Sequence, residues 1–249
     1  MKKKILLLIL FLFSFSAAFA QLQDIHGVIP TENVTSLEIL PRFKAKDDSQ
    51  NISIATLEIN PTFKLNQHWK FGAEIPLSRY GEDHFSKKGL GDIITSFYYT
   101  DYSPNKIFSY GIGAEMIWPT ASSSFLGKGK AIAEPEIFLV WKISPHFFIE
   151  TEYRHIFSYA ANSGREDIHQ SRYRMILGYM SDDKWWIELD PRYIVDYENS
   201  SASELIAKAE IGTMINTGSA IYARAGWHLA GNRYSHDWEF MVGFKILYL

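Results

Sequence analysis

The chain has 249 residues, and its 25 lysines and arginines against 28 aspartates and glutamates give a formal charge of −3 at pH 7. This mildly acidic balance argues against a nucleic-acid partner, which needs a clustered basic surface. The chain contains no cysteine, so a thiol nucleophile, a cysteine-based zinc site and a disulfide scaffold are excluded.

The first twenty residues have the pattern of a bacterial secretory signal peptide. Lys2, Lys3 and Lys4 precede an apolar core, and Ala18-Phe19-Ala20 is a small-x-small cleavage site. The apolar core is shorter than the roughly 20 residues that a membrane-spanning helix needs. We predict that residues 1–20 are removed on export and that residues 21–33 form a short periplasmic segment.

From there to the end of the chain, apolar residues alternate with charged ones at a period of two, which indicates strands. In the segment Trp185 to Tyr197, the odd positions are mostly aromatic or aliphatic, whereas Glu188, Asp190 and Arg192 stand at even positions. Twelve such segments begin near residues 34, 50, 67, 90, 106, 130, 146, 168, 184, 203, 219 and 236.

The connections between these segments alternate between short turns, such as "SPNK" and "SDDK", and longer polar loops, such as "SRYGEDHFSKKG" (Ser78 to Gly89) and "TASSSFLGKGK". Short periplasmic turns, long external loops, an even strand number and abundant aromatics are typical of outer-membrane barrels. We therefore predict an all-β fold, a transmembrane antiparallel up-and-down β-barrel of about 12 strands over residues 34–249. Its predicted location is the outer membrane of a Gram-negative bacterium. A water-soluble β-sandwich is the alternative, because its strands alternate too.

In each strand of a barrel, every second residue is apolar and faces lipid, and the residues between them face the lumen. That set is Glu38, Arg42, Glu58, Lys70, Glu74, Asp92, Glu115, Glu134, Glu136, Lys142, Glu150, Glu152, Arg154, Arg172, Arg174, Glu188, Asp190, Arg192, Lys208, Glu210, Arg224 and Glu239. Two interpretations stay open: an ion-paired plug of side chains, or a narrow polar passage whose charges select a solute.

The predicted binding residues are those at the centre of this set. They are Glu136, Arg154, Arg174, Glu188, Asp190 and Arg192.

Catalytic and metal sites have little support in the sequence. An outer-wall lipid hydrolase would need a histidine beside a serine, and the best candidates, His155 and Ser158, are three residues apart and so face opposite sides of a strand. The other histidines are scattered and lack a metal-ligand spacing. We therefore predict no catalytic residue, no metal and no cofactor.

The segment "LGKGK", Leu126 to Lys130, has the glycines and lysines of a phosphate-binding loop. A true loop of that kind needs a serine or threonine after its lysine and a helix behind it. Here Lys130 is followed by the strand-like "AIAEPEIFLVW". We therefore predict an external barrel loop, with Lys128 and Lys130 placed to meet lipopolysaccharide phosphates or loop carboxylates.

Three stretches, "GLGDIITSFYY", "PTASSSFLGKGK" and "WWIELDPRYIVDYEN", resemble an outer-membrane family described as transporters of aromatic meta-cleavage (phenol degradation) pathways. The anchors are Gly91-Asp92, Pro119-Thr120 and Leu126-Gly127-x-Gly129; Ala121 stands where the family usually has glycine. The resemblance implies a barrel that moves small hydrophobic or aromatic molecules, with no catalytic residues.

The predicted function is thus an outer-membrane channel or transporter for small molecules. A plugged structural or adhesive barrel is the alternative, and a lipid hydrolase acting through His155 is a weaker one. The predicted partners are outer-membrane lipid and lipopolysaccharide, a small-molecule solute, and the barrel-assembly machinery, which recognises a last strand ending in alternating aromatics such as Tyr248.

Overall fold

A computed structural model describes residues 33–46, 52–82, 84–104, 107–161, 164–232 and 236–248. The predicted signal peptide and nearly all of the predicted periplasmic segment lie outside these ranges. Within the described ranges, no helix is long and apolar enough to cross a membrane.

In the described part of the chain, thirteen strands form one antiparallel sheet. They are β1 (Thr35–Lys46), β2 (Ile52–Lys64), β3 (Trp69–Glu82), β4 (Phe85–Leu90), β5 (Ile93–Tyr102), β6 (Phe108–Trp118), β7 (Lys130–Lys142), β8 (Phe147–Ala161), β9 (His169–Met180), β10 (Trp185–Asp196), β11 (Ala202–Asn216), β12 (Ser219–Gly231) and β13 (Trp238–Tyr248).

The sheet closes on itself, because β1 pairs with both β2 and β13, and β2 pairs in turn with β3. Both β4 and β5 pair with β3, so they are two pieces of one barrel strand, interrupted at Gly91-Asp92. The result is a closed barrel of twelve strands, which confirms the predicted fold. Closure satisfies the backbone groups that a bilayer could not.

The predicted strand starts lie within two residues of the observed ones, except at the fourth strand. We expected a long loop from Ser78 to Gly89, and this was wrong. Ser78–Glu82 continues β3 and pairs with Phe85–Leu90, so the barrel wall extends as a hairpin beyond the neighbouring strands. The charges of this segment obscured its alternation, since Arg79 and Lys88 are at outward-facing positions and the apolar Phe85 is at an inward-facing one.

The burial of side chains is opposite to that of a water-soluble protein. Along β10, Ile187 and Leu189 are each 47% exposed, whereas Glu188 and Asp190, which alternate with them, are buried. The same holds along most of the wall, where apolar side chains point outward and charged ones inward. A soluble sandwich would show the reverse, so the structure rejects that alternative.

Aromatic residues ring the end of the barrel that carries the short turns. Trp69 stacks on Phe97 with ring centroids 4.7 Å apart, and Tyr179 contacts Phe147 and Trp185 at 4.9 and 5.2 Å. Amphipathic rings prefer the level of the lipid headgroups. By the usual topology, this short-turn end is periplasmic and the long-loop end external.

Candidate functional site

The lumen contains two layers of side chains at different heights. Near the short turns lies an aromatic layer: Tyr98, Phe138, Phe148, Trp186 and Tyr222. Two to six residues further toward the long loops, on β6 to β10, lies a charged belt: Glu115, Glu134, Glu136, Glu152, Arg154, Arg172, Arg174, Asp190 and Arg192.

Arg154 on β8 organises one half of the charged belt. Its guanidinium donates to Glu134 at 3.0 Å and to Glu152 at 3.2 Å, and it pairs with Glu115 and with Glu136, which is directly opposite on β7. Arg154 is only 6% exposed. A buried guanidinium needs such a set of acceptors, because an unpaired buried charge is strongly destabilising.

Arg174 joins this cluster to the next strand. It donates from Nη1 to Glu152 at 3.1 Å, and in a two-pronged contact from Nε and Nη2 to the Asp190 carboxylate at 2.8 and 3.0 Å. Arg192 donates to the same carboxylate at 2.6 Å. Arginine favours this planar, bidentate geometry. One network thus runs from β6 to β10.

Five of the six predicted binding residues belong to that network, and Glu188 does not. Glu188 lies directly opposite Glu210 on β11, and Glu210 accepts bonds from Trp186 at 2.7 Å and from Arg224 at 2.7 Å. The strand alternation places Glu188 correctly in the lumen. Its pairing partners depend on the neighbouring strand, which alternation alone does not reveal.

A second group of charges occupies the facing arc of the wall. Arg42 pairs with Glu58 at 2.9 Å, and both Lys44 and Lys208 pair with Glu239. In both groups, each of these ion pairs lies within one strand or joins strands that are adjacent or separated by a single strand. The pairs therefore run along the wall and do not cross the barrel axis.

The aromatic layer was missed by the sequence interpretation, which assigned a purely polar lumen. Each of its five rings covers a glycine directly opposite on the neighbouring strand: Tyr98 over Gly113, Phe138 over Gly111, Phe148 over Gly178, Trp186 over Gly212 and Tyr222 over Gly243. A Cβ added at any of these glycines would lie 2.1–2.2 Å from the ring.

The rings consequently lie flat against the barrel wall, in the space that a side chain would otherwise fill. This arrangement buries the apolar area of the rings in one cluster with Val140, Ile176, Met180 and Ala220. The sequence signal that could have revealed this layer is a pair of residues. An inward-facing aromatic residue on one strand is matched by a glycine at the inward-facing position opposite it on the next strand.

At the long-loop end, the Asp92 carboxylate holds the connection between β6 and β7. It accepts the backbone N–H groups of Ala121 at 3.1 Å and Lys128 at 2.5 Å. A Cβ on Gly127 would lie 2.4 Å from that carboxylate, and Gly129 has a left-handed φ of 68°. The three sequence anchors of the family resemblance therefore meet at the break between β4 and β5.

Lys130, one of the two lysines of this loop, is buried against a carboxylate. Lys130 is 1% exposed, and its Nζ donates to Asp167 at 2.5 Å. The hydrogen bond from Lys130 lowers the pKa of Asp167 below its usual range. Lys130 thus meets a loop carboxylate, one of the two partners expected for it.

The same loop bridges two parts of the external mouth. Phe125 contacts Phe85 and Tyr80 with ring centroids 4.9 and 5.4 Å apart, and Arg165, from the β8–β9 connection, donates to the Ser124 carbonyl at 2.5 Å. Beneath these contacts lies a cavity of about 460 Å³, which includes Asp92 and Arg165 in its lining. The loop narrows the mouth on this side.

The candidate hydrolase residues are not brought together. Ser158 donates to Asp167 and accepts from the Ile168 N–H, whereas the His155 ring contacts Phe157 and His169. The β-bulge between β7 and β8 lies beyond Ser158, so it does not rotate the two onto one face. Within the described ranges, no cluster of three metal-ligating side chains occurs.

The fold is that of porin-like outer-membrane channels. A solved outer-membrane channel from Pseudomonas putida F1 superposes with a TM-score of 0.70 at 9% identity, covering 92% of this chain and 100% of that one. The NanC porin gives 0.62 at 10% identity, covering 86% and 100%. The KdgM porin gives 0.59 at 10% identity, covering 86% and 99%.

Comparisons of sequence add no further relative. No family model matches the chain, and no curated protein matches it either. The resemblance to the aromatic-pathway family therefore stays a prediction, and the structural likeness, at these identities, establishes the barrel fold alone.

Proposed function

We propose that this barrel lies in the outer membrane and is a narrow channel for small solutes. The observation that supports it best is the arrangement of the inner wall: the ion pairs run around the circumference, and the five aromatic rings lie flat on glycines. Both features place bulky groups against the wall, whereas a plug would require them to meet across the axis.

The two layers favour a solute with both polar groups and an apolar ring face. Flat rings offer stacking surfaces, and the charged belt offers both guanidinium donors and carboxylate acceptors. Such a solute agrees with the small aromatic molecules implied by the sequence resemblance. One solved structure of the KdgM porin is a complex with disordered oligogalacturonate.

We infer that Arg154, Arg174 and Arg192, with Glu136 and Asp190, line the narrowest polar part of the route. Glu188 contributes a carboxylate between Trp186 and Asp190 on β10. Since the arginines are already paired, a solute must compete for their remaining donors, which limits passage to small molecules that carry hydrogen-bonding groups.

Liposome swelling with the purified full-length protein tests this proposal. Solutes of equal size should be compared: an aromatic carboxylate, its uncharged analogue and a linear polyol. We expect faster entry of the aromatic carboxylate, and a smaller difference in the Arg192→Gln variant. Equal, background-level entry of all three solutes would reject the channel.

One observation favours the alternative, a plugged barrel whose loops act at the surface. Val140 is 0% and Phe148 1% exposed, so solvent scarcely reaches the short-turn end of the lumen. A plugged barrel predicts background swelling for every solute, although the protein is folded.

A further inference from the structure

The external end of β3 and β4 carries two cations that face each other on the outer wall. Arg79 is directly opposite Lys88 in the antiparallel ladder. Both residues are on the same face of the sheet as Leu77, which is 47% exposed on the lipid-facing side. Like charges directly opposite are destabilising in a sheet. Within the described ranges, neither side chain makes an ion pair.

The height of this pair matches the edge of the membrane. Arg79 is ten residues along β3 from Trp69 in the periplasmic aromatic ring. At about 3.3 Å per residue and a tilt of about 40°, the two are separated by about 25 Å along the membrane normal. The apolar band of such barrels is about 25 Å tall. Arg79 and Lys88 therefore stand at the level of the outer-leaflet headgroups.

The surface below the cations is apolar. The row of directly paired residues beneath Arg79 and Lys88 is formed by Pro41, Leu57, Leu77 and Leu90. This row offers an apolar surface for acyl chains.

The surface beside and above the cations is shallow. Beside them, a cavity of about 570 Å³ is bounded by Phe43, and its lining combines the small residues Ser53, Ala55, Gly81 and Ser86 with Arg79, Glu82, His84 and Phe85. In the row above the cations, Ser53 and Ser86 flank Gly81. Glu82 also borders the cavity, but its carboxylate is held by the Tyr80 hydroxyl at 2.6 Å.

We propose that this outer-wall surface binds the phosphorylated glycolipid of the outer leaflet. Its phosphates lie between Arg79 and Lys88, its acyl chains follow the apolar row below, and its sugars reach the serine hydroxyls above. A phosphate between the two cations relieves their repulsion and forms charge-assisted hydrogen bonds. The inference depends on the barrel lying in an outer membrane and is independent of whether its lumen conducts.

The probe is diphosphorylated lipid A, with equilibrium binding measured in micelles of an uncharged detergent. Arg79→Gln/Lys88→Gln should bind it on the order of tenfold or more weakly than the unmodified protein, equivalent to about 1.4 kcal/mol. Lys87→Gln is the matched control, because Lys87 is on the same strand but faces the other side. It should bind as the unmodified protein does.

Two further comparisons separate the phosphate from the apolar contribution. Fully dephosphorylated lipid A should bind the unmodified protein as weakly as the diphosphorylated lipid binds the double variant. Ala55→Phe, which fills the cavity and keeps both cations, should also weaken binding. If the double variant fails to fold, these two measurements still decide the question.

The proposal is overturned if the folded double variant binds diphosphorylated lipid A with unchanged affinity. Equal binding of the dephosphorylated lipid, or of phosphatidylglycerol, by the unmodified protein would overturn it as well. Because the site is on the outer wall, the double variant should conduct ions as the unmodified protein does, so loss of lipid binding and loss of channel activity are distinguishable.

Discussion

Replacing Gly178 by alanine tests whether the aromatic layer keeps the lumen open. A Cβ at this position would lie 2.1 Å from two ring carbons of Phe148, and ordinary contact begins at 3.4 Å. The ring must therefore move by at least about 1.3 Å. The wall blocks movement outward, so the ring moves toward the axis. We expect lower single-channel conductance and a loss of stability of about 1–3 kcal/mol, as for an overpacked core.

The matched variants isolate the ring from the backbone change. Gly178→Ala/Phe148→Leu removes the clashing ring atoms, so conductance should return toward that of the unmodified protein. Gly164→Ala, where an added Cβ meets nothing within 4 Å, should have no effect. Unchanged conductance of folded Gly178→Ala would refute the reasoning that the flat ring sets the width of the lumen.

Three further predictions concern buried charge and the loops, each measured by urea unfolding in micelles unless stated. Arg174→Leu removes one of the two arginines that bind the Asp190 carboxylate and leaves Arg192 in place, so we expect a loss of about 1–3 kcal/mol, and an unchanged stability would contradict the buried network. Asp92→Asn weakens the bonds from the loop N–H groups, so hydrogen exchange at the Lys128 amide should accelerate, and unchanged exchange would contradict its anchoring role. Burial lowers the pKa of His236 from 6.5 to about 4. Between these two pH values, His236 is protonated in the unfolded chain but remains neutral in the folded one. Stability should therefore be full above pH 6.5 and fall toward pH 4, by up to about 3 kcal/mol, and a pH profile identical in His236→Asn would contradict this assignment.

The fold could be predicted because a period of two survives in nearly every strand. Trp185, Ile187 and Leu189 specify an outward face by themselves, since a one-residue slip would place charge in lipid. The exception is the β3–β4 extension, where Arg79 and Lys88 stand on the outward face above the apolar band. There the outer wall is polar, and alternation no longer separates strand from loop.

The candidate site was predicted less completely. Alternation placed Arg154, Arg174 and Asp190 in the lumen, but which carboxylate each arginine contacts depends on the register between strands. That register is fixed by pairing along the whole ladder, and a single strand does not contain it. The aromatic layer was missed for the same reason, because Phe148 and Gly178 become neighbours only when β8 pairs with β9.

The family anchors illustrate the same dependence on tertiary contact. Asp92 and Gly127 are separated by 35 positions, and each is unremarkable within its own segment. Only the folded chain shows that the Asp92 carboxylate occupies the space that a side chain at position 127 would need.

The most direct test of the channel proposal is the electrical conductance of the purified full-length protein in a planar lipid bilayer. Heat-modifiable electrophoretic mobility should first confirm that the barrel is folded. The proposal predicts discrete current steps that become smaller in Gly178→Ala. A folded barrel that inserts into the bilayer and gives no current above background would contradict it and leave the plugged barrel as the correct description.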